Sequence, residues 1–563
     1  MWRRASVVSA LTFGIMLFSS EQLLEATATS QLRQVIVLSR HGVRGPYGLG
    51  EEIPSEETFK KYVLNPNVEL PLSANAWGTS ESDDPTEVVS PKLTKHGFNV
   101  VKLMGEYFRE HLYNEFLEAK CDKTFAYADA NQRDNLTAQA FLRGLYPDCK
   151  DVVPITAETR LLFEQGQDPT ANCPVCSKTV YEGITGANDT RYLVQEIRDE
   201  ITQINDILEC CAASVCSASE EDNGKDDEGS DTGTCGLFDV PSEWDGAFYA
   251  PWKDTMSTAD YFSEFWLLQS LNNMTLPSGL TFEKILQLSK VHKTHMDLIT
   301  NEVNSANFGA TLLAHLTASF EQNVMGTPIP IGEGEGPRIA QSPDNQFLYY
   351  AAHDINLLYV RSLLRLQWHT KGWHPHQPVP GSMLVFELHS SVDESVMSIK
   401  KGRRVLLPTV SKSDRHFVKL YFVAASPEQM RNGEVLSDQN PPDRVPVIIP
   451  FCSEDVVLSD GSIDARCSFS TFKKLIGKTL KHECVADTLQ PFVDSLLYQA
   501  AQADTGTSKY DELLSFSSLM WVIFGVVVFA FLVLVVRHTI HRRMSSSAAQ
   551  KREYGTLPQL SSV

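Results

Sequence analysis

Apolar and polar positions along the chain sort into alternating kinds of segment. Val35 to Leu38 is an apolar run without alternation, bounded by polar residues, as a strand covered on both faces requires. After a Pro/Ser/Asp-rich connection, Leu93, Val100, Met104, Phe108 and Leu112 recur at helical spacing as one stripe, with Thr94 placed to cap the helix start. Phe125 to Ala128 reads as a second short strand, and Leu136 to Leu145 returns to helical spacing. From about Asp148 to Asp344 the texture is helical: Tyr192 to Leu208, Thr258 to Leu271, Phe282 to Val303 and Thr311 to Val324. Strand signals then return at Gln346 to Ala352, Met383 to Leu388 and Phe417 to Val423, with a helix over Ile355 to Leu366. The order predicts an α/β fold, a mostly parallel central sheet flanked by helices and split around an inserted helical cap. The expected boundaries are 29–147 and 345–490 for the two parts of the sheet domain and 148–344 for the insert.

Both ends carry a different pattern. Arg3 and Arg4, the apolar stretch Ala5 to Phe18, and Ala26-Thr27-Ala28 read as a signal peptide over residues 1–28. Leu519 to Val536 is 18 residues without a charge, long enough to cross the hydrocarbon of a bilayer. A single C-terminal transmembrane helix is expected over 516–536, after a stalk at 491–515. The basic cluster Arg537, His538, His541, Arg542 and Arg543 places the 537–563 tail in the cytosol. In that tail Tyr554 and Leu557 are spaced as in a tyrosine-based sorting signal, which implies an endocytic adaptor as partner. The expected location is a single-pass type I protein of endosomal or lysosomal membranes that cycles through the cell surface, with its folded part lumenal.

Composition narrows the classes. Of 563 residues, 42% are hydrophobic and 21% charged, which are globular values. Seventy acidic against 49 basic residues give a formal charge of -21, so nucleic acid is not an expected partner. All 11 cysteines lie between Cys121 and Cys484, in the part expected to be lumenal, where disulfides form; the odd count leaves one over. Asn135, Asn188 and Asn273 head the sequons. Residues 217–234 hold seven acidic side chains and no apolar one beyond Ala218, and read as a surface loop that lacks EF-hand spacing.

Three segments share one grammar of strand, charged residues, helix: Arg40-His41-Gly-Val-Arg44, Asp129-Ala-Asn-Gln-Arg133 and His353-Asp354. Ligands of α/β sheets bind beyond the carboxyl ends of the strands, so a shared sheet gathers these residues around one crevice. Three guanidiniums and two imidazoles there ask for a phosphate dianion. His41 is the candidate nucleophile, because a neutral imidazole has a free lone pair and needs no base. Asp354 is the candidate proton donor to the leaving alcohol. The arginines supply the charge neutralisation, so no metal or cofactor is called for. His96, His111, His292 and His295 read as exposed polar positions on helices, and Cys173-Pro-Val-Cys176 lacks a second ligand pair at zinc spacing.

These residues resemble a known family. "RHGVRGP" and "HDIN" are similar to the two signature elements of the histidine acid phosphatases, the second branch of the histidine phosphatase superfamily. "LTKHGFNVVKLMGEYFRE", "ADANQRDNLTAQAFLRGLYPDC", "PGSMLVFEL" and "FCSEDVVLSDGSIDARCSFSTFKKL" extend the likeness over nearly the whole expected ectodomain. With the span and tail, the chain looks most like membrane-bound lysosomal or endosomal acid phosphatases. The resemblance implies phosphomonoester hydrolysis through a phosphohistidine at His41, a clamp of Arg40, Arg44, Arg133 and His353, and Asp354 as acid. It implies small phosphomonoesters as substrates, and spans monomer and homodimer as assembly. It also implies the pairs Cys121 with Cys149, Cys452 with Cys467, and Cys484 with either Cys173 or Cys176. Cys210, Cys211, Cys216 and Cys235 are left for local bridges. The family usually has threonine after the third arginine; here Asp134 stands there, and is expected to face outward from the helix start. The alternative function is a catalytically idle receptor-like ectodomain on the same fold, which has no physical need for so concentrated a set of charges.

Overall fold

The computed structural model describes residues 30–501, apart from 118–120, 150, 157–160, 163–172, 218–232, 335–337, 392–396, 401–402, 407–414 and 458–462, together with 534, 536 and 537. The signal peptide over 1–28, most of the acidic loop, nearly all of the expected span over 516–536, and Tyr554 and Leu557 lie outside the described residues. Among the described residues no helix is long and apolar enough to cross a membrane.

The apolar run Val35 to Leu38 is buried on both faces, inside a long first strand, β1 (Ser30–Arg40). It lies in a nine-stranded sheet with β2 (Thr124–Ala128), β3 (Ile155–Thr156), β4 (Phe347–Ala352), β5 (Met383–Ser391), β6 (His416–Ala424), β7 (Asp443–Pro446), β8 (Ser453–Val457) and β9 (Ile463–Ser468). The order is β8-β9-β6-β5-β1-β4-β2-β3, with β7 on β6. The pairs β1–β4, β4–β2 and β2–β3 are parallel. Every other pair in the sheet is antiparallel, which corrects the expectation of a mostly parallel sheet. The reason is the connection: parallel neighbours need a crossover, usually a helix, and the 392–415 link between β5 and β6 carries instead a two-stranded ribbon of Met397–Lys400 and Arg403–Leu406.

Register sets the site. Arg40 lies opposite Ala352 and Ala128 opposite Ala351, so β1, β4 and β2 end at one level. His41, Asp129 and His353 therefore emerge together at the carboxyl edge.

Helices cover the sheet. Thr94 caps α1 (Lys95–Tyr107), its Oγ1 accepting from the Gly97 amide at 2.8 Å. α2 (Gln132–Leu145) follows β2 and packs on α1 and on β4. Between β3 and β4 the chain is mainly helical. The apolar stretch from Met256 becomes α3 (Thr255–Leu271), capped by Asp254. The expected continuous helix over Phe282 to Val303 is instead three, Phe282–Leu288, α4 (Lys290–Ile299) and Glu302–Phe308. The second ends at Thr300, and Asn301 caps the third, accepting from the amides of Val303 and Asn304. α5 (Ala310–Met325) touches β1, and α6 (Asp354–Leu364) starts where β4 stops.

Disulfides join Cys121 to Cys149, Cys452 to Cys467, Cys216 to Cys235 and Cys210 to its neighbour Cys211. Cys484 is bonded to Cys173, 311 residues away in sequence, and Cys176 is a buried free thiol. Asn188 and Asn273 are exposed. Asn135 is half-buried within α2, its side chain taking a hydrogen bond from Gln139.

Candidate active site

β1 delivers Arg40 and His41 to the edge of the sheet, and the turn after it brings Arg44 back beside them. All three are buried. Close packing holds the turn: a Cβ on Gly97 would stand 2.3 Å from the Val43 carbonyl, so only glycine lets α1 approach this loop. The Gly42 amide donates to Thr137 Oγ1 of α2 at 3.0 Å, tying the turn to the helix that carries Arg133.

The imidazole of His41 is oriented by its own chain. Nδ1 lies 2.9 Å from the Gly42 carbonyl, and a carbonyl only accepts, so Nδ1 carries the hydrogen and Nε2 keeps its lone pair. Burial, then the charges of Arg133, Arg40 and Arg44, hold its pKa well below the ordinary histidine value. His41 therefore stays neutral in acid that would protonate an exposed imidazole.

His353 stands across the pocket, its ring centre 5.7 Å from that of His41. Its Nε2 lies 2.7 Å from Asp129 Oδ2, and its Nδ1 3.5 Å from Arg133 Nη2. Burial pushes Asp129 up, but hydrogen bonds from His353 and Asn131 outweigh it and leave the carboxyl below its usual range. Asp354, first residue of α6, pairs with Arg40 Nη2 at 2.8 Å and accepts from the Ile355 amide. Arg40 Nη1 donates to the Pro378 carbonyl, which fixes the plane of the guanidinium.

The structure thus brings all six candidates, His41, Arg40, Arg44, Arg133, His353 and Asp354, to one pocket. It also places there residues that sequence reasoning missed. Glu264 of α3 reaches in from the helical segment, 2.8 Å from Arg44 Nη2 and 3.5 Å from Arg40 Nη2. Burial opposes its charge, yet Arg44, His292 and Arg40 hold its carboxyl down at about 2. Behind it, His292 Nδ1 lies 2.8 Å from Asp260, while His295 Nε2 donates to the Tyr249 carbonyl. His292 and His295 are buried, which corrects their reading as exposed polar positions: α4 packs against α3 and turns this face to the acidic pair. The signal was present, since Asp260 and Glu264 are i,i+4 carboxylates in a helix otherwise lined with Phe262, Phe265 and Trp266. Tyr47 closes the pocket rim, its ring 4.7 Å from the Arg44 guanidinium and 5.8 Å from that of Arg133.

Asp134 is the second correction. It is fully buried and faces inward, 3.7 Å from His353 Nδ1 through one oxygen and 3.7 Å from Arg133 Nε through the other. Its place in the first turn of α2, beside Arg133 and opposite His353, turns it toward the pocket wall rather than outward.

A cluster of guanidiniums around a neutral, oriented imidazole at the carboxyl edge of an α/β sheet defines a phosphate-handling hydrolase pocket. Residues 31–423 match the histidine phosphatase superfamily (branch 2), and the chain belongs to that family as a histidine acid phosphatase, a phosphoric monoester hydrolase. It is 24% identical over 502 residues to Phytase AppA of Escherichia coli (strain K12), covering 85% of this chain and 99% of that protein. Against the glucose-1-phosphatase of Salmonella typhimurium identity is 21% over 470 residues, covering 80% and 95%. Among solved structures it resembles the Hafnia alvei phytase in complex with tartrate (TM-score 0.58, 22% identity, 82% of this chain and 100% of that one). The Citrobacter braakii phytase is similar at TM-score 0.58 and 21% identity, over 81% of this chain and 99% of that one. These structural likenesses bear on the fold alone.

Proposed function

We propose that the protein hydrolyses small phosphate monoesters in an acidic lumenal compartment through a covalent phosphohistidine at His41. The observation that carries this reading is the imidazole itself: tautomer set by the Gly42 carbonyl, proton affinity lowered by burial and three guanidiniums. Arg40, Arg44, Arg133 and His353 hold the phosphoryl oxygens, and Nε2 attacks phosphorus in line with the leaving oxygen. The P–O bond breaks, and the leaving alcohol takes a proton from Asp354. Phosphate entering the clamp competes for Arg40, the cation that pairs with Asp354. Water then attacks the phosphohistidine, gives its proton back to Asp354, and inorganic phosphate leaves with His41 neutral again.

The location rests on the expected signal peptide, the expected span and the five disulfides of the folded part. Membrane anchoring by one helix and an adaptor reading Tyr554 and Leu557 belong to the same proposal.

A chromogenic aryl phosphate at about pH 5 with purified protein tests the activity. His41→Ala is expected to reduce kcat by at least ~10³-fold, as loss of a covalent nucleophile does. Equal rates for both proteins sink the mechanism, and no turnover by either favours the idle ectodomain.

A further inference from the structure

Asp134 is out of place in an anion pocket. It is 0% exposed, and among the described residues neither carboxylate oxygen has a hydrogen-bond partner. Its neighbours come from every element around it. Arg133 is on the same helix, Asp129 follows β2, Tyr349 lies on β4, and His353 and Asp354 open α6. Arg133 Nε and His353 Nδ1 each stand at 3.7 Å, beyond hydrogen-bond reach. A buried carboxylate that is ionised and unmatched is costly, more so with a phosphate dianion beside it.

We propose that Asp134 is a specificity residue of the phosphate clamp: protonated, it donates a hydrogen bond toward the anion held by Arg133 and His353; ionised, it competes for Arg133 and repels the anion. Binding of a dianion is thereby tied to uptake of one proton, and by reciprocity the bound anion holds that proton on Asp134. The role rests on the phosphatase reading and goes beyond it, since His41 and Asp354 supply the chemistry without it. Burial is the main cause that raises the Asp134 carboxyl, to about 6, so the change falls within the range an acidifying compartment crosses. The sign is fixed: below that value the clamp accepts the anion, above it affinity is lost.

Phosphate esters titrate in the same range, so the probe is inorganic sulfate, which does not. Its binding to the full-length protein is measured by calorimetry at about pH 5 and pH 7, and its competitive inhibition of aryl phosphate hydrolysis alongside. With the protonation midpoint at about 6, the protonated fraction falls about tenfold between these values. Wild type is expected to lose about tenfold in sulfate affinity across them, and Asp134→Asn less than about twofold, with the kcat ratio between the two proteins constant. Asp134→Thr serves as the second variant, with a thermal melt to show that each folds. Equal losses in wild type and both variants overturn the proposal. Absence of sulfate binding to wild type at either pH overturns the phosphate-pocket reading along with it.

Discussion

At the scale of single residues, acid chemistry with a histidine nucleophile poses a conflict, because the pH that favours a proton on the leaving group also favours one on imidazole. His41 escapes it by position. Burial and the surrounding guanidiniums penalise the imidazolium, while the Gly42 carbonyl directs the one ring hydrogen away from the phosphate. Asp354 has the complementary duty. Replacing it by alanine is expected to lower turnover of alkyl phosphates by ~10²-fold or more while aryl phosphates, whose leaving groups need little protonation, lose much less. Equal losses for both classes contradict its role as acid. The six residues named for the site were legible in the sequence because each lies in one of three polar segments that follow a buried strand, where the pattern itself announces a change of environment. Glu264 and the inward face of Asp134 were not, since one comes from a distant helix and the other depends on a rotation about the helix axis that spacing alone leaves open.

At the scale of elements, α1 and α2 hold the two halves of the clamp together. They touch through glycines: a Cβ on Gly144 would lie 2.1 Å from the Lys102 carbonyl, and one on Gly105 2.2 Å from that of Phe141. Both contacts are with backbone, which cannot rotate away. Gly144→Ala is therefore expected to part the helices at a cost of ~1–3 kcal/mol. Because Arg133 rides on α2 and Val43 leans on α1, kcat/KM should fall several-fold as well. A melt and a kinetic assay on the same preparation check both, and unchanged values in both contradict this packing. Strands read correctly where apolar runs are continuous, as in Val35 to Leu38 and Phe347 to Ala352. The direction of β5 and β6 did not follow from such runs, because burial on both faces looks the same in parallel and antiparallel neighbours. Direction lies in the connection, and the link between these two strands carries no helix among its described residues. The long helix expected after Phe282 broke for local reasons, at Ser289 and again at the capping side chain of Asn301.

For the whole molecule, three strand ends at one level, a helical segment that sends Glu264 into the pocket, and a disulfide from Cys173 to Cys484 make one scaffold around one phosphate site. The proposed membrane topology puts that scaffold on the lumenal side and the tyrosine signal on the cytosolic side. Tyr554→Ala is then expected to raise the cell-surface fraction several-fold without changing specific activity, as read by surface labelling; an unchanged distribution contradicts the sorting role. The central claim is covalent and concerns a single atom. Acid-free rapid quenching during turnover, followed by peptide mass spectrometry, should find one phosphoryl group on the peptide containing His41, and none in His41→Ala. Steady turnover with no phosphorylated His41 under conditions that preserve phosphohistidine, or a phosphoryl group on another residue, would contradict it.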